Sequence, residues 1–280
     1  LSMTFWDKLA NLDRRIMWVF IFILVFAVLL NPIGLPITVS KETNAFYDFM
    51  ESLPEGSVIW LEIGYSAGAS AELHPQTRAV VEHAFRRNMK IVMSSLWAEG
   101  PQIAQPIVES IAKKYNKEYG KDWVNLGYKP GGIIVAKAFM DSVVETAKNR
   151  DHFSQPLENM PIIQEVPKLT KEYVDFIVII SSGTPGGKEW LEAVATPQGI
   201  PIAQGTLQMS IPEAMPFVES GQYVAIIPGQ RGAAEYELLL EAPGPAIAGQ
   251  DVTSVMVLYM ILLLILGNLA YYFGSRVSPA

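Results

Sequence analysis

Apolar positions along this chain fall into three patterns. Two long uninterrupted runs lie near its ends, "IMWVFIFILVFAVLL" at 16–30 and "VTSVMVLYMILLLILGNLAYYF" at 252–273. Between them, short continuous apolar runs alternate with stretches whose apolar residues recur every three or four positions. The short runs predict strands at 57–63, 90–96, 122–127, 174–182, 200–205 and 222–229, and the periodic stretches predict helices at 72–88, 102–118, 132–149, 187–195, 212–220 and 232–240. Strands that are apolar throughout suit a parallel sheet covered on both faces. Strand–helix units in strict alternation build such a sheet. The expected fold is therefore α/β, a doubly wound, mainly parallel six-stranded sheet (Rossmann/flavodoxin-like) flanked by two transmembrane helices. Segment 151–171 breaks the alternation, and its prolines mark it as a crossover between two half-sheets.

The terminal runs set the organisation. About 20 apolar residues span the hydrocarbon core. The second run meets that length, and the first reaches it by continuing through "NPIGLPITV" to Val39. A cleaved signal peptide is the rival for the first run, but no small-x-small cleavage site follows Leu30. "TFWDKLANLDRRI" places Phe5, Leu9, Leu12 and Ile16 on one helical face, an interfacial lead-in. The expected division is an interfacial helix over 1–15, a first span at 16–39, an α/β domain at 40–241, a tether at 242–251, a second span at 252–273 and a tail at 274–280. Lys8, Arg14, Arg15 and Arg276 flank the outer ends of the spans, so both termini are expected to be cytoplasmic and the domain extracytoplasmic. A short helix before the first strand, and a last helix ending at the tether, place both connections at the N-terminal edge of the sheet. The opposite edge would then point away from the bilayer.

Charge narrows the partners. The chain carries a net −7; of its 21 cations four lie outside 40–250, and of its 28 acids three do, so the domain is acidic. Nucleic acid, which needs a basic face, is not expected as a partner. There are no cysteines, which removes thiolate nucleophiles and thiolate metal sites. The three histidines are scattered and no HExxH occurs, so no metal and no cofactor are expected; Glu72 with His74 makes at most half a site.

Two strings invite catalytic readings. "GYSAG" at 64–68 has the G-x-S-x-G form of the α/β-hydrolase elbow, with Ser66 as nucleophile and Gly68 closing the turn. The order Ser, acid, His is not met: His74 and His83 follow on the next helix, His152 opens the crossover, and the last three units hold no histidine. "SSGTPGGKEW" at 181–190 is one spacer short of a phosphate loop and has Glu189 where the magnesium-binding hydroxyl belongs. No G-x-G-x-x-G occurs. Glu62, a carboxylate inside "VIWLEIG", marks either a functional edge or a solvent-facing edge strand.

What remains is collective. Five strands end in glycine-bearing loops that open helices, and in a doubly wound sheet ligands bind at that edge. Ser66, Gly68, Lys129, Gly131, Ser182, Thr184, Lys188 and Arg231 form the candidate binding rim, with Lys129, Lys188 and Arg231 expected to gather as a basic cluster. The spans carry no charge in their centres, as ion pathways would require. The expected function is a non-enzymatic, membrane-anchored recognition or scaffold subunit of a larger homo- or hetero-oligomeric membrane complex. The alternatives are a tethered serine hydrolase using Ser66 and a small-anion sensor.

Overall fold

A computed structural model describes residues 5–274. It divides into two compact units, residues 37–246 and the chain on either side of them.

The flanking unit opens with α1 (Phe5–Ala10) and α2 (Arg14–Leu30). Asp13 caps α2, accepting the Arg15 amide at 2.9 Å, and Asn31 ends it one residue before Pro32. The residue before a proline is driven out of helical geometry, so the expected continuation to Val39 does not form. At 1.5 Å per residue α2 is about 25 Å long, short of the roughly 30 Å core. Among the described residues one helix, not two, is long and apolar enough to cross a membrane: the last, with mean hydropathy 2.3. It starts at Pro245, so most of the expected tether is helical. It packs antiparallel to α2. Tyr259 stacks on Phe20 and donates to Met17 O at 3.2 Å, and Trp6 meets Phe273. Asp251, fully buried, accepts the amides of Gly34 and Leu35 at 2.8 and 3.0 Å.

The second unit enters through α3 (Lys41–Ser52), capped by Ser40. Six strands follow: β1 (Val58–Gly64), β2 (Lys90–Ser95), β3 (Trp123–Tyr128), β4 (Phe176–Ser181), β5 (Ile202–Thr206) and β6 (Ile226–Pro228). All are parallel, in the order β3-β2-β1-β4-β5-β6. This Rossmann-like order reverses between β1 and β4. Of the helices between them, α4 (Ser70–Arg86) is as long as its apolar spacing predicts, and α5 (Gly100–Lys114) starts two residues earlier and ends four earlier than expected. The helix expected at 132–149 is broken into α6 (Ile133–Ala138) and α7 (Val143–Thr146), because Ser142 caps a new start by accepting the Glu145 amide. The crossover carries α8 (Pro161–Glu165). After β4, α9 (Gly187–Trp190) runs through a π segment (Leu191–Ala195) into α10 (Thr196–Gln198) as one continuous helical path. Then come α11 (Ile211–Glu219) and α12 (Gly229–Leu239), and the last helix is α13 (Pro245–Phe273).

Strand side chains alternate between two apolar layers, as a pleated strand dictates. Ile59, Leu61 and Ile63 of β1 pack with α3, α4, α5 and α12. Val58 and Trp60 face α6 to α11. The sheet is thus covered on both faces. The entering connection is not at the N-terminal edge: Ser40, just before α3, bonds Glu235 in the middle of α12.

Candidate functional site

At the reversal point, where doubly wound folds open a crevice, this chain is closed. Ser181 Oγ and the Ser182 amide both donate to Gly64 O at 3.0 Å, and Trp97 Nε1 donates to Pro185 O at 3.2 Å. A Cβ on Gly64 would lie 2.7 Å from Ser181 Oγ. The amide of Ala67, first in the turn after β1, is taken by the Glu99 carboxylate at 3.1 Å. A phosphate at that turn would meet a negative group already in place.

Ser66 lies half-buried in this turn, and among the described residues its hydroxyl bonds to no histidine. His74 has its Nε2 buried without a partner and its ring beside Tyr65 at 5.7 Å. His83 is held between Glu51 and Tyr236, at 2.9 and 2.7 Å, and burial lowers its pKa. His152 packs on Phe153 beyond β3. Gly68 has open space around it and no positive φ, so the turn does not require glycine there. Glu72 accepts the Gln208 amide at 2.7 Å, and no group of three metal-ligating residues occurs among the described residues.

The expected basic cluster is dispersed. β3 and β6 are opposite edges of the sheet, five strand spacings or about 24 Å apart. Lys129 Nζ turns to the end of α7, donating to Ala147 O and Arg150 O at 3.3 and 3.0 Å, and burial lowers its pKa. Gly131, with φ +129°, shapes the loop that follows. Arg231 pairs with Glu235 at 3.0 Å, and Glu235 in turn accepts Ser40 and Thr43 at the start of α3. Both cations therefore tie segments together.

The third cation, Lys188, borders a cavity of about 150 Å³ beyond the ends of β4 and β5. Alternation along β5 sends Gln204 and Thr206 to the same face, toward the start of α9 and α11. Ser182, Thr184, Glu213 and Tyr223 complete the polar part of the wall. Thr206 is fully buried and its Oγ1 has no partner, which costs about 1–3 kcal/mol for a neutral group. A Cβ on Gly187 would strike Gln204 Oε1 and sit 2.6 Å from the Tyr223 hydroxyl, so glycine keeps this wall open. Burial, then Glu189 and Glu192, raise the pKa of Tyr223, which stays a neutral donor.

The charges on the wall are not equivalent. Glu189 and Glu213 stand in the first turns of their own helices, where a carboxylate complements the dipole, and Glu189 accepts the Gly186 amide at 2.8 Å. Lys188 stands in the same first turn, where a cation is disfavoured by about 0.3–1 kcal/mol. No ion pair offsets it among the described residues.

Ser182, Thr184 and Lys188 thus share one site, while Ser66, Gly68, Lys129, Gly131 and Arg231 lie elsewhere along the edge. Gln204, Thr206, Glu213 and Tyr223 were not anticipated. The polar pair Gln204 and Thr206, two apart at the end of an apolar strand, is the signal that points to them.

Glu62 belongs to neither expected setting. β1 is central, and the carboxylate is fully buried on the α6 side. It accepts the Leu96 amide at 2.6 Å and the Ser94 hydroxyl, which also receives Trp60 Nε1.

No protein-family model matches the chain, and no curated protein matches it. Among solved structures, a crystal structure of the glycotransferase of kitacinnamycin aligns with 69% of this chain at 16% identity and a TM-score of 0.24. The alignment takes in 42% of that chain, less than half its length. A likeness of this size carries no argument about activity or substrate.

Proposed function

We propose that this protein is a non-enzymatic, membrane-anchored recognition module, a subunit of a larger membrane assembly, whose Rossmann-like domain binds its target at the β4–β5 end of the sheet. The observation that carries the reading is the cavity there. Its wall holds the fully buried Thr206, whose hydroxyl has no protein partner, a group that calls for a ligand or a water. Chemistry is not favoured, because the one nucleophile-like motif, at Ser66, has no base bonded to it.

The anchor in this reading is α13, with the shorter α2 packed on it. This topology needs α2 to cross beside α13 in spite of its shorter length; the cations at its N-terminal side then favour cytoplasmic termini and a domain outside. Native mass spectrometry of the detergent-extracted full chain tests the whole. The expected spectrum carries a bound small molecule or partner subunits. A fluorophosphonate probe should not label Ser66; labelling that disappears in Ser66→Ala would replace this reading with a hydrolase.

A further inference from the structure

Three features of the β4–β5 cavity call for a common explanation. Lys188 occupies a helix start that disfavours it and makes no ion pair among the described residues, although Glu189 follows it and Glu213 shares the cavity wall. The helical path it belongs to runs from 187 to 198, and the amides of Gly187 and Lys188 have no carbonyl four residues back to bind within the helix. Across the space, the buried hydroxyl of Thr206 is without a partner. A cation and free amides on one wall ask for an anion. An unpartnered hydroxyl, with Gln204 and the neutral phenol of Tyr223, asks for groups that both donate and accept.

We propose that the cavity binds a small hydroxylated anion, its carboxylate or phosphate group at Lys188 and the start of α9, its hydroxyls against Thr206, Gln204 and Tyr223. The inference rests on the reading of the protein as a binding module and names the ligand class for it. A cavity of about 150 Å³ has room for a three-carbon acid or its phosphate ester. Glu189, whose carboxylate already accepts the Gly186 amide at the start of α9, leaves the anion only the Lys188 ammonium and the next amides, and with Glu213 it repels a second negative charge and selects ligands whose charge is confined to one end.

The test is isothermal titration of the full chain in detergent micelles with glycerol 3-phosphate, glycerate, inorganic phosphate and glycerol. At least one of the first two saturates the protein, and whichever binds more tightly identifies the head group. Glycerol stays silent, and affinity falls as salt is raised. Lys188→Gln weakens binding about tenfold or more, as loss of a charge-assisted contact does. Thr206→Val weakens it several-fold without lowering the melting temperature, since the hydroxyl removed has no protein partner. Lys113→Gln, on the exposed face of α5, leaves it unchanged. The proposal is overturned if no anion saturates the wild type, or if Lys188→Gln and Thr206→Val bind as tightly as it does. Glycerol saturating the cavity while the anions stay silent would overturn the anion and keep the module. A chain that takes up none of the four, and carries neither ligand nor partner in native mass spectra, would overturn both.

Discussion

Ionising Glu62 should cost this fold stability, and replacing it with glutamine should remove that cost. Burial pushes the carboxyl up from 4.5 to about 7, against the pull of its bonds to Ser94 and Leu96. The folded state thus holds its proton where the unfolded chain has released it. Stability from this group is complete below pH 4.5 and is lost as pH rises toward 7 and above. At about 1.36 kcal/mol per pH unit, the gap between 4.5 and about 7 amounts to roughly 3 kcal/mol, of which about 2 are gone by pH 6. Glu62→Gln keeps an acceptor for the Leu96 amide and cannot ionise. Urea unfolding of wild type and variant, at half-unit steps from pH 4.5 to 8, isolates the effect, because every other titrating group cancels in the difference. The two should be nearly equal at the acid end, with the variant ahead by roughly 3 kcal/mol at pH 8. A difference that stays flat, or a wild type that gains on the variant as pH rises, would mean that Glu62 is ionised in the fold and that the burial argument fails.

Other outcomes follow from particular contacts. Glu235→Ala should destabilise the domain by about 3 kcal/mol in denaturant titration, since it strands Ser40, Thr43 and Arg231 at the start of α3. Gly68→Ala should be neutral within about 0.5 kcal/mol, while Gly131→Ala, at φ +129°, should cost about 1 kcal/mol or more in the same assay. Cysteine placed at Ser2 or Ser278 should be shielded from an impermeant maleimide in intact cells, and cysteine in the 151–171 crossover should react; the reverse would overturn the proposed topology.

Much of the architecture was legible because doubly covered strands leave a plain mark. "VIWLEIG" and "FIVIIS" are apolar on both faces, and the six strands fall within a few residues of their expected bounds. Strand order left no such mark, and with it went the placement of Glu62. Nothing in "VIWLEIG" says that β1 is central, yet that position turns a solvent-facing carboxylate into a buried one. Order also separates Lys129 from Arg231, which the shared edge alone had seemed to unite. Two errors had signals in the chain. Asn31-Pro32 ends α2, and Ser142 with Glu145 three residues on is a capping pattern inside what read as one helix. The site residues split the same way: Lys188 stands in a visible glycine-rich string, whereas the missing partner of Thr206 depends on which side chains fold around it.

The pairing at the middle of the sheet joins strands far apart in the chain. Gly64 and Ser181 are neighbours across β1 and β4 although 117 positions separate them. The N-terminal half, β1 to β3, is complete and covered by α4 and α5 long before β4 leaves the ribosome. Until then the free edge of β1, a row of unpaired amides and carbonyls flanked by Ile59, Leu61 and Ile63, is open to any other extended strand. Contacts this distant form slowly, and their delay exposes partly folded chains to association. The interval between synthesis of β3 and docking of β4 is therefore one in which the chain presents an unpaired central strand to association.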